Sequence, residues 1–250
     1  MAGMKINIGD TWKTVTATQI NIGDSWKAAY TIGPFNGHAT LTNDLVGYWS
    51  LDTNGTAESG GNTMIVTGAT HTASGKISGA YVFDGVEDYI STTSNIGITG
   101  STSRTHTMWY KTTQAASGCM VCYGSLGAVG YNFELWIHST GAWVLACKGA
   151  NRYWTPSADF NDGNWHFLAL VLDGTDCSDL TLYLDNSAET VASTDDYTLN
   201  TAASTMRLGR RLVATTYDFA GTIDEVGVWD RALTSAELTA LYNSGDGLAY

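Results

Sequence analysis

Positive charge is scarce in this chain. Lys and Arg number 12 against 24 Asp and Glu, a formal net charge of −12 over 250 residues. Such a surface repels phosphate backbones, so nucleic acid is not an expected partner. Proline is nearly missing, with only Pro34 and Pro156. No apolar run approaches the roughly eighteen residues of a membrane span, so no membrane partner is expected. The opening MAGMKINIGD has no apolar h-region, so the expectation is a protein without a secretory signal. Cysteines are few: Cys119, Cys122, Cys147 and Cys177. The first two form a C-x-x-C, with no second pair at zinc-ribbon spacing and no histidine beside them. They read as buried free thiols in strands. No G-x-S-x-G nucleophile elbow occurs. Of the five histidines, His166 lies in a strand that is apolar on both faces, which predicts a core or interface histidine.

What the chain does contain favours strands and turns. It has 28 Gly, 9 Trp and 13 Tyr, and its polar remainder is rich in Thr, Ser and Asn. Two octapeptides near the start, INIGDTWK (6–13) and INIGDSWK (20–27), differ at one position. Each reads as a β-hairpin: Ile and Asn alternate, and Gly-Asp supplies a two-residue turn with Gly at the positive-φ position. Two such hairpins cannot bury much core alone. The faces carrying Ile6, Ile8, Trp12, Ile20, Ile22 and Trp26 are therefore expected to pack on something else. That could be the rest of the chain, other copies in an oligomer, or a larger assembly. Residues 1–30 are read as an attachment or oligomerisation segment, and 31–44, with its Gly33-Pro34 and Asn36-Gly37 turn signals, as a linker. The repeat resembles segments of phage tail-fibre and other virion surface proteins. That resemblance implies capsid or tail partners, a homotrimer with Trp12 and Trp26 at its contacts, and a place on a virion made in host cytoplasm.

From Leu45 onward, short apolar runs alternate with turns. LVGYWSL, AYVF, THTMWYK, YNFELWI, AWVLACK, WHFLALVL, LTLYLD, MRLG and GTIDEVGVWD follow one another without alternating helices. This predicts an all-β, two-sheet antiparallel sandwich. One short C-terminal helix is expected, opened by the capping box Thr234–Glu237 and closed at Asn243 and Gly245. In their order, LVGYWSLD, AYVFDGVEDYI, TMWYKTT, GNWHFLALVLDG, MRLGR and FAGTIDEVGVWDRALTSAELTALYNSG resemble the successive strands of laminin-G-like, concanavalin A-like jelly rolls. The resemblance implies a jelly roll over 45–250, a glycan or protein ligand, and in many members a structural calcium.

Three site readings follow. Retaining glycosidases of this architecture aim carboxylates from one strand as Glu-x-Asp-x-Glu, and no such triplet exists here. Asp224 and Glu225 alternate in their strand, so they are expected on opposite faces, and no enzyme is expected. For a cation, the 52–62 loop offers Asp52, Glu58 and Asn62. The resemblance pairs Glu58 with Asp224, at calcium or in a hydrogen-bonded latch without metal. For a ligand, Trp136 and His138 share a polar face of their strand with Asn132 and Glu134. A Thr140-Gly141 turn would bring Trp143 onto it, and Arg152, Tyr153 and Trp154 follow. This group reads either as a sugar-stacking platform or as a subunit interface. The leading expectation is a phage virion structural protein, a capsid decoration or tail fibre, displaying a lectin-like jelly roll toward cell-surface glycan. The alternatives are a glycan-binding module of a secreted protein and a glycoside hydrolase.

Overall fold

The computed structural model describes residues 4–8, 11–17, 30–31, 35–53, 59–60, 62–147, 151–156, 159–212 and 217–249. In chain order the strands begin with β1 (Met4–Ile8), β2 (Thr11–Ala17), β3 (Tyr30–Thr31), β4 (Leu45–Trp49), β5 (Ser59–Gly60), β6 (Met64–Thr67) and β7 (Thr70–Thr72). They continue with β8 (Ala80–Asp84), β9 (Tyr89–Thr92), β10 (Arg104–Lys111), β11 (Gly118–Gly124), β12 (Asn132–Ile137), β13 (Trp143–Ala146) and β14 (Asn151–Thr155). The last are β15 (Trp165–Leu172), β16 (Leu180–Leu184), β17 (Ser187–Ala188), β18 (Thr190–Thr194), β19 (Arg207–Leu208) and β20 (Ala220–Trp229), followed by helix α1 (Ser235–Tyr242).

β1 and β2 pair antiparallel with Ile8 opposite Thr11, so two residues connect them, as the first repeat predicts. β3 joins β2, and the three strands form a sheet of their own. Ile20, Ile22 and Trp26, and the side chains of Ile6, Ile8 and Trp12, lie outside the described residues.

The expected sandwich follows. One sheet runs β17-β16-β15-β10-β20-β4-β5, with β8 also on β20 and β7 on β8. The other runs β18-β14-β13-β12-β11-β19-β9-β6. The core between them contains Trp49, Met108, Tyr110, Phe133, Leu135, Leu168, Leu170 and Val228, all nearly inaccessible. β11 is central to its sheet, yet its sequence does not alternate cleanly. Its register against β12 shifts between Cys119 and Val121. At this bulge Met120 and Val121 both enter the core, which breaks the period of two. All four cysteines are free and buried.

The outer face of the nine-stranded sheet is closed. Tyr48, Trp109, Phe167, Ala169, Val171 and Trp229 project from it under α1, whose Leu238 and Leu241 are buried against them. α1 starts as predicted: Thr234 accepts from the Glu237 amide while Glu237 reaches back, and Asn243 ends the helix in the left-handed region. The stretch expected as a linker is part of this seal. Phe35 and Leu41 are fully buried. Trp229 Nε1 donates to the Leu41 carbonyl at 2.7 Å. Arg231 donates to the Thr40 and Asn43 carbonyls while pairing with Glu237. Phe35 and Leu41, two apolar residues of this stretch, needed a partner that only the folded sheet supplies.

Candidate functional site

The outer face of the eight-stranded sheet carries no helix among the described residues. Its side chains are ordered by register, because directly opposed residues of antiparallel strands share a face. One row crosses the sheet as Cys119, Trp136, Val144, Tyr153 and Ser193. The next is Ile65, Ser91, Arg207, Cys122, Glu134, Ala146 and Asn151. A third contains Gly124 and Asn132.

Arg211 and Tyr217, which follow β19, reach this face. Gly209 N donates to the Met120 carbonyl, and Cys119 N donates to the Tyr217 carbonyl at 2.8 Å. This pins Tyr217 beside Trp136, with ring centroids 5.0 Å apart. The His138 ring also lies near the indole, with centroids 5.5 Å apart. Tyr217 is 38% exposed, and Trp136 and Tyr153 are half-buried. From the same segment Arg211 reaches Glu134, with Nε 2.9 Å and a terminal nitrogen 2.7 Å from Oε2. Arg210 pairs with Glu87 and Asp218, and the Arg207 guanidinium lies 4.1 Å from the Tyr89 ring. Burial, followed by contact with Cys122, pushes the Cys119 thiol well up, which disfavours its thiolate. A cavity of about 430 Å³ opens at the rim, where His138, Ser139 and Thr140 face Asp159 and Asn161.

Of the six ligand candidates, Trp136, His138 and Tyr153 come together on this side, and Trp143, Arg152 and Trp154 do not. The turn after β12 closes from the Gly141 amide to the His138 carbonyl, and Trp143 pairs with Ile137 rather than His138. A shift of one residue exchanges the faces of a strand. Trp143 therefore enters the core, and Trp154, paired with it, enters too. Arg152 pairs with core Leu145 and is 7% exposed, its guanidinium 5.4 Å from the Trp154 ring. Sequence reasoning put Asn132 and Glu134 on the right face without choosing them as site residues. It missed Arg211 and Tyr217, which sit in an irregular segment without periodicity.

Asp224 and Glu225 are not on opposite faces. Ile223 and Val226 both enter the core, so the two residues between them point the other way. Glu225 takes a φ of 50°, and the register against β10 shifts at this point. Glu225 accepts from the Tyr48 hydroxyl. Asp224 is fully buried: Oδ2 accepts from the Lys76 and Ile77 amides at 2.7 and 3.1 Å, and Oδ1 from the Glu225 amide at 2.9 Å. Burial, against these donors, pushes its carboxyl up to about 7. Asp52 Oδ1 accepts from the Gly79 amide of the same 75–79 loop. Asn62 faces elsewhere, donating to the Ser94 and Asn95 carbonyls. Glu58 lies outside the described residues. A hard cation needs six to eight oxygens; among the described residues this region offers the carboxylates of Asp52 and Asp224, both of which accept from backbone amides. Among the described residues no group of three His, Cys, Asp or Glu could hold a metal. What the described residues show is Asp224 and Asp52 holding the 75–79 loop through its amides.

Two packed antiparallel sheets, one face sealed and the other polar and aromatic, define a sandwich of the lectin type. The family described as the Concanavalin A-like lectin/glucanases superfamily, in its laminin G form, matches residues 83–239, and the chain belongs to it. No curated protein sequence matches. Among solved structures, domain 4 of AbnA, an extracellular arabinanase of Geobacillus stearothermophilus in complex with arabinotriose, is similar. Its TM-score is 0.60 at 17% identity, over 78% of this chain and 97% of that domain. The botulinum neurotoxin serotype D binding domain gives 0.57 at 11% identity, over 83% of this chain and 52% of that one. A structure of botulinum neurotoxin type C, whose cell entry depends on two ganglioside molecules, gives 0.58 at 12%, over 82% and 52%. The chain spans about half the length of these toxin domains. At these identities the likeness shows the fold.

Proposed function

We propose that the module binds carbohydrate on the outer face of the eight-stranded sheet, with Trp136 as the stacking platform. The observation that carries this is the half-buried indole with Tyr217 and His138 against it, on the same face as the Glu134–Arg211 pair. A flat aromatic surface with a few fixed polar groups is what a pyranose or furanose ring requires. Membership of a lectin superfamily and the arabinotriose held by the AbnA domain support the reading. It is a reading of binding without cleavage. Glycosidases need two carboxylates across the scissile bond, and Glu134 is engaged by Arg211. Calorimetric titration against the best ligand of a glycan array tests it. Trp136→Ala should weaken binding about 30-fold, the scale of roughly 2 kcal/mol for a hot-spot aromatic. Unchanged affinity would remove Trp136 from the site.

A finer proposal concerns where the module is displayed. Two near-identical sequence repeats, the first of which forms the β1–β2 hairpin, support attachment to a phage particle and trimer formation through Trp12 and Trp26. Sedimentation of the full chain should give a trimer, and Trp12→Ser with Trp26→Ser a folded monomer. A wild-type chain that is monomeric both in solution and on the particle would sink it.

A further inference from the structure

Asn132 opens β12 at the end of the open face remote from His138. Four residues of strand, about 13 Å, separate it from Trp136 on the same face. Its side chain is buried, with the residue 2% exposed. Nδ2 donates to the Ala146 carbonyl at 3.4 Å, while the buried Oδ1 has no partner among the described residues. Turning the amide over would set an oxygen against the Ala146 carbonyl, so the hydrogen bond fixes Oδ1 as the orphan. Buried acceptors are rarely left without a donor.

This group borders a cavity of about 260 Å³, lined by Gly124, Ser125, Leu126, Asn132, Glu134 and Leu212. The cavity is smaller than the roughly 300–1,000 Å³ that encloses drug-sized ligands, so it suits one ring and not a chain of rings. Its chemistry is set by two acceptors. Asn132 offers a carbonyl oxygen, and Glu134 offers a carboxylate that Arg211 orients through Oε2. Gly124 keeps the wall low: its φ is +94°, and a Cβ there would stand 2.2 Å from the Tyr131 carbonyl oxygen, so no side chain can replace it. Leu126 and Leu212 give the cavity an apolar side.

We propose that this cavity is a specificity subsite for a single ring of a neutral glycan, a pentose or hexose, whose hydroxyls donate to Asn132 Oδ1 and Glu134 while its C–H edge lies on Leu212. The proposal rests on the carbohydrate reading above and names the ligand class within it. Two acceptors facing one cavity disfavour a carboxylated or sulfated ring there. Asn132 is then a specificity-determining residue, and Trp136 holds the next part of the ligand.

The test uses the full chain on an array of neutral arabino- and hexo-oligosaccharides beside sialylated, uronate-bearing and sulfated ones, followed by calorimetry. Wild type should select neutral glycans. Asn132→Leu, similar in size but without an acceptor, should lose about tenfold or more in affinity with no fall in Tm, because the orphaned oxygen goes with it. Leu212→Trp, which fills the cavity from the surface, should lose binding with Trp136 unaltered. Neutral-glycan binding unchanged in both variants would overturn the subsite and leave the carbohydrate reading standing. Selection of acidic glycans would overturn the stated ligand class. Absence of any glycan binding by wild type would overturn both.

Discussion

The two outer faces of the sandwich are built from similar strands and have opposite fates. On the nine-stranded sheet, β15 is apolar at every position from Phe167 to Leu172. Phe167, Ala169 and Val171 go under the helix, while Leu168, Leu170 and Leu172 enter the core. On the eight-stranded sheet, β12 alternates, with Phe133, Leu135 and Ile137 inward and Asn132, Glu134, Trp136 and His138 outward. A strand that is apolar on both sides needs two covers, and α1 with residues 35–42 is the second. A strand that alternates needs one and leaves a face for a ligand. Buried carboxylates differ accordingly. Asp224, on the sealed side, is held by three amides, whereas Glu134, on the open side, is held by a cation from a surface segment.

The largest expected effect comes from breaking the seal. Trp229→Ala removes a fully buried indole packed on Phe35 and leaves the Leu41 carbonyl without its donor. A loss of about 4–5 kcal/mol is expected in denaturant unfolding, with glycan affinity unchanged in the protein that remains folded. A loss under about 1 kcal/mol would mean that the cover is dispensable.

The next effect is a pH dependence from Asp224. The folded-state carboxyl of Asp224 is raised by burial to about 7, from 3.8. Between these values the folded chain holds a proton that the unfolded chain has lost. The associated stabilisation is fully present below about pH 3.8 and is lost as pH rises through about 7, on the order of 4 kcal/mol in all. Asp224→Asn cannot titrate. The stability difference between wild type and this variant should therefore shift in favour of the variant as pH rises from 4 to 7. Burial, then Arg104, holds His106 down at about 3, and this acts in the opposite sense. It is common to both proteins and cancels in the difference. A difference flat with pH would mean that Asp224 is not shifted.

The smallest effect sharpens the comparison from the open side. Trp136→Ala, which should cost most of the binding, is expected to cost only about 1 kcal/mol of stability by thermal unfolding. A cost equal to that of Trp229 would make Trp136 structural and the two faces alike.

Much of this architecture was legible before folding, because it is written in periodicity and local chemistry. Apolar runs marked most of the main strands, Thr234 and Glu237 the start of α1, and Gly9-Asp10 the connection between β1 and β2. The site was legible only in half. Trp136 and His138 were placed on the open face because β12 alternates. Trp143 was misplaced because the turn between β12 and β13 is longer by one residue than the sequence suggested. Arg152, Tyr153 and Trp154 are consecutive in β14, so alternation leaves Tyr153 on that face and turns its two neighbours to the other.

The sequence by itself determined the sandwich, its C-terminal helix and the alternation that leaves one face polar, since these depend on neighbours a few positions apart. Only the tertiary structure decided which sheet is sealed, that residues 35–42 help to seal it, and that two bulges turn Met120 inward and Glu225 outward. It alone brought Arg211 and Tyr217 over Glu134 and Trp136, from more than seventy positions along the chain. The physical reason is that register, bulges and docking are set by where buried groups find volume and hydrogen-bond partners, and those partners are distant in sequence.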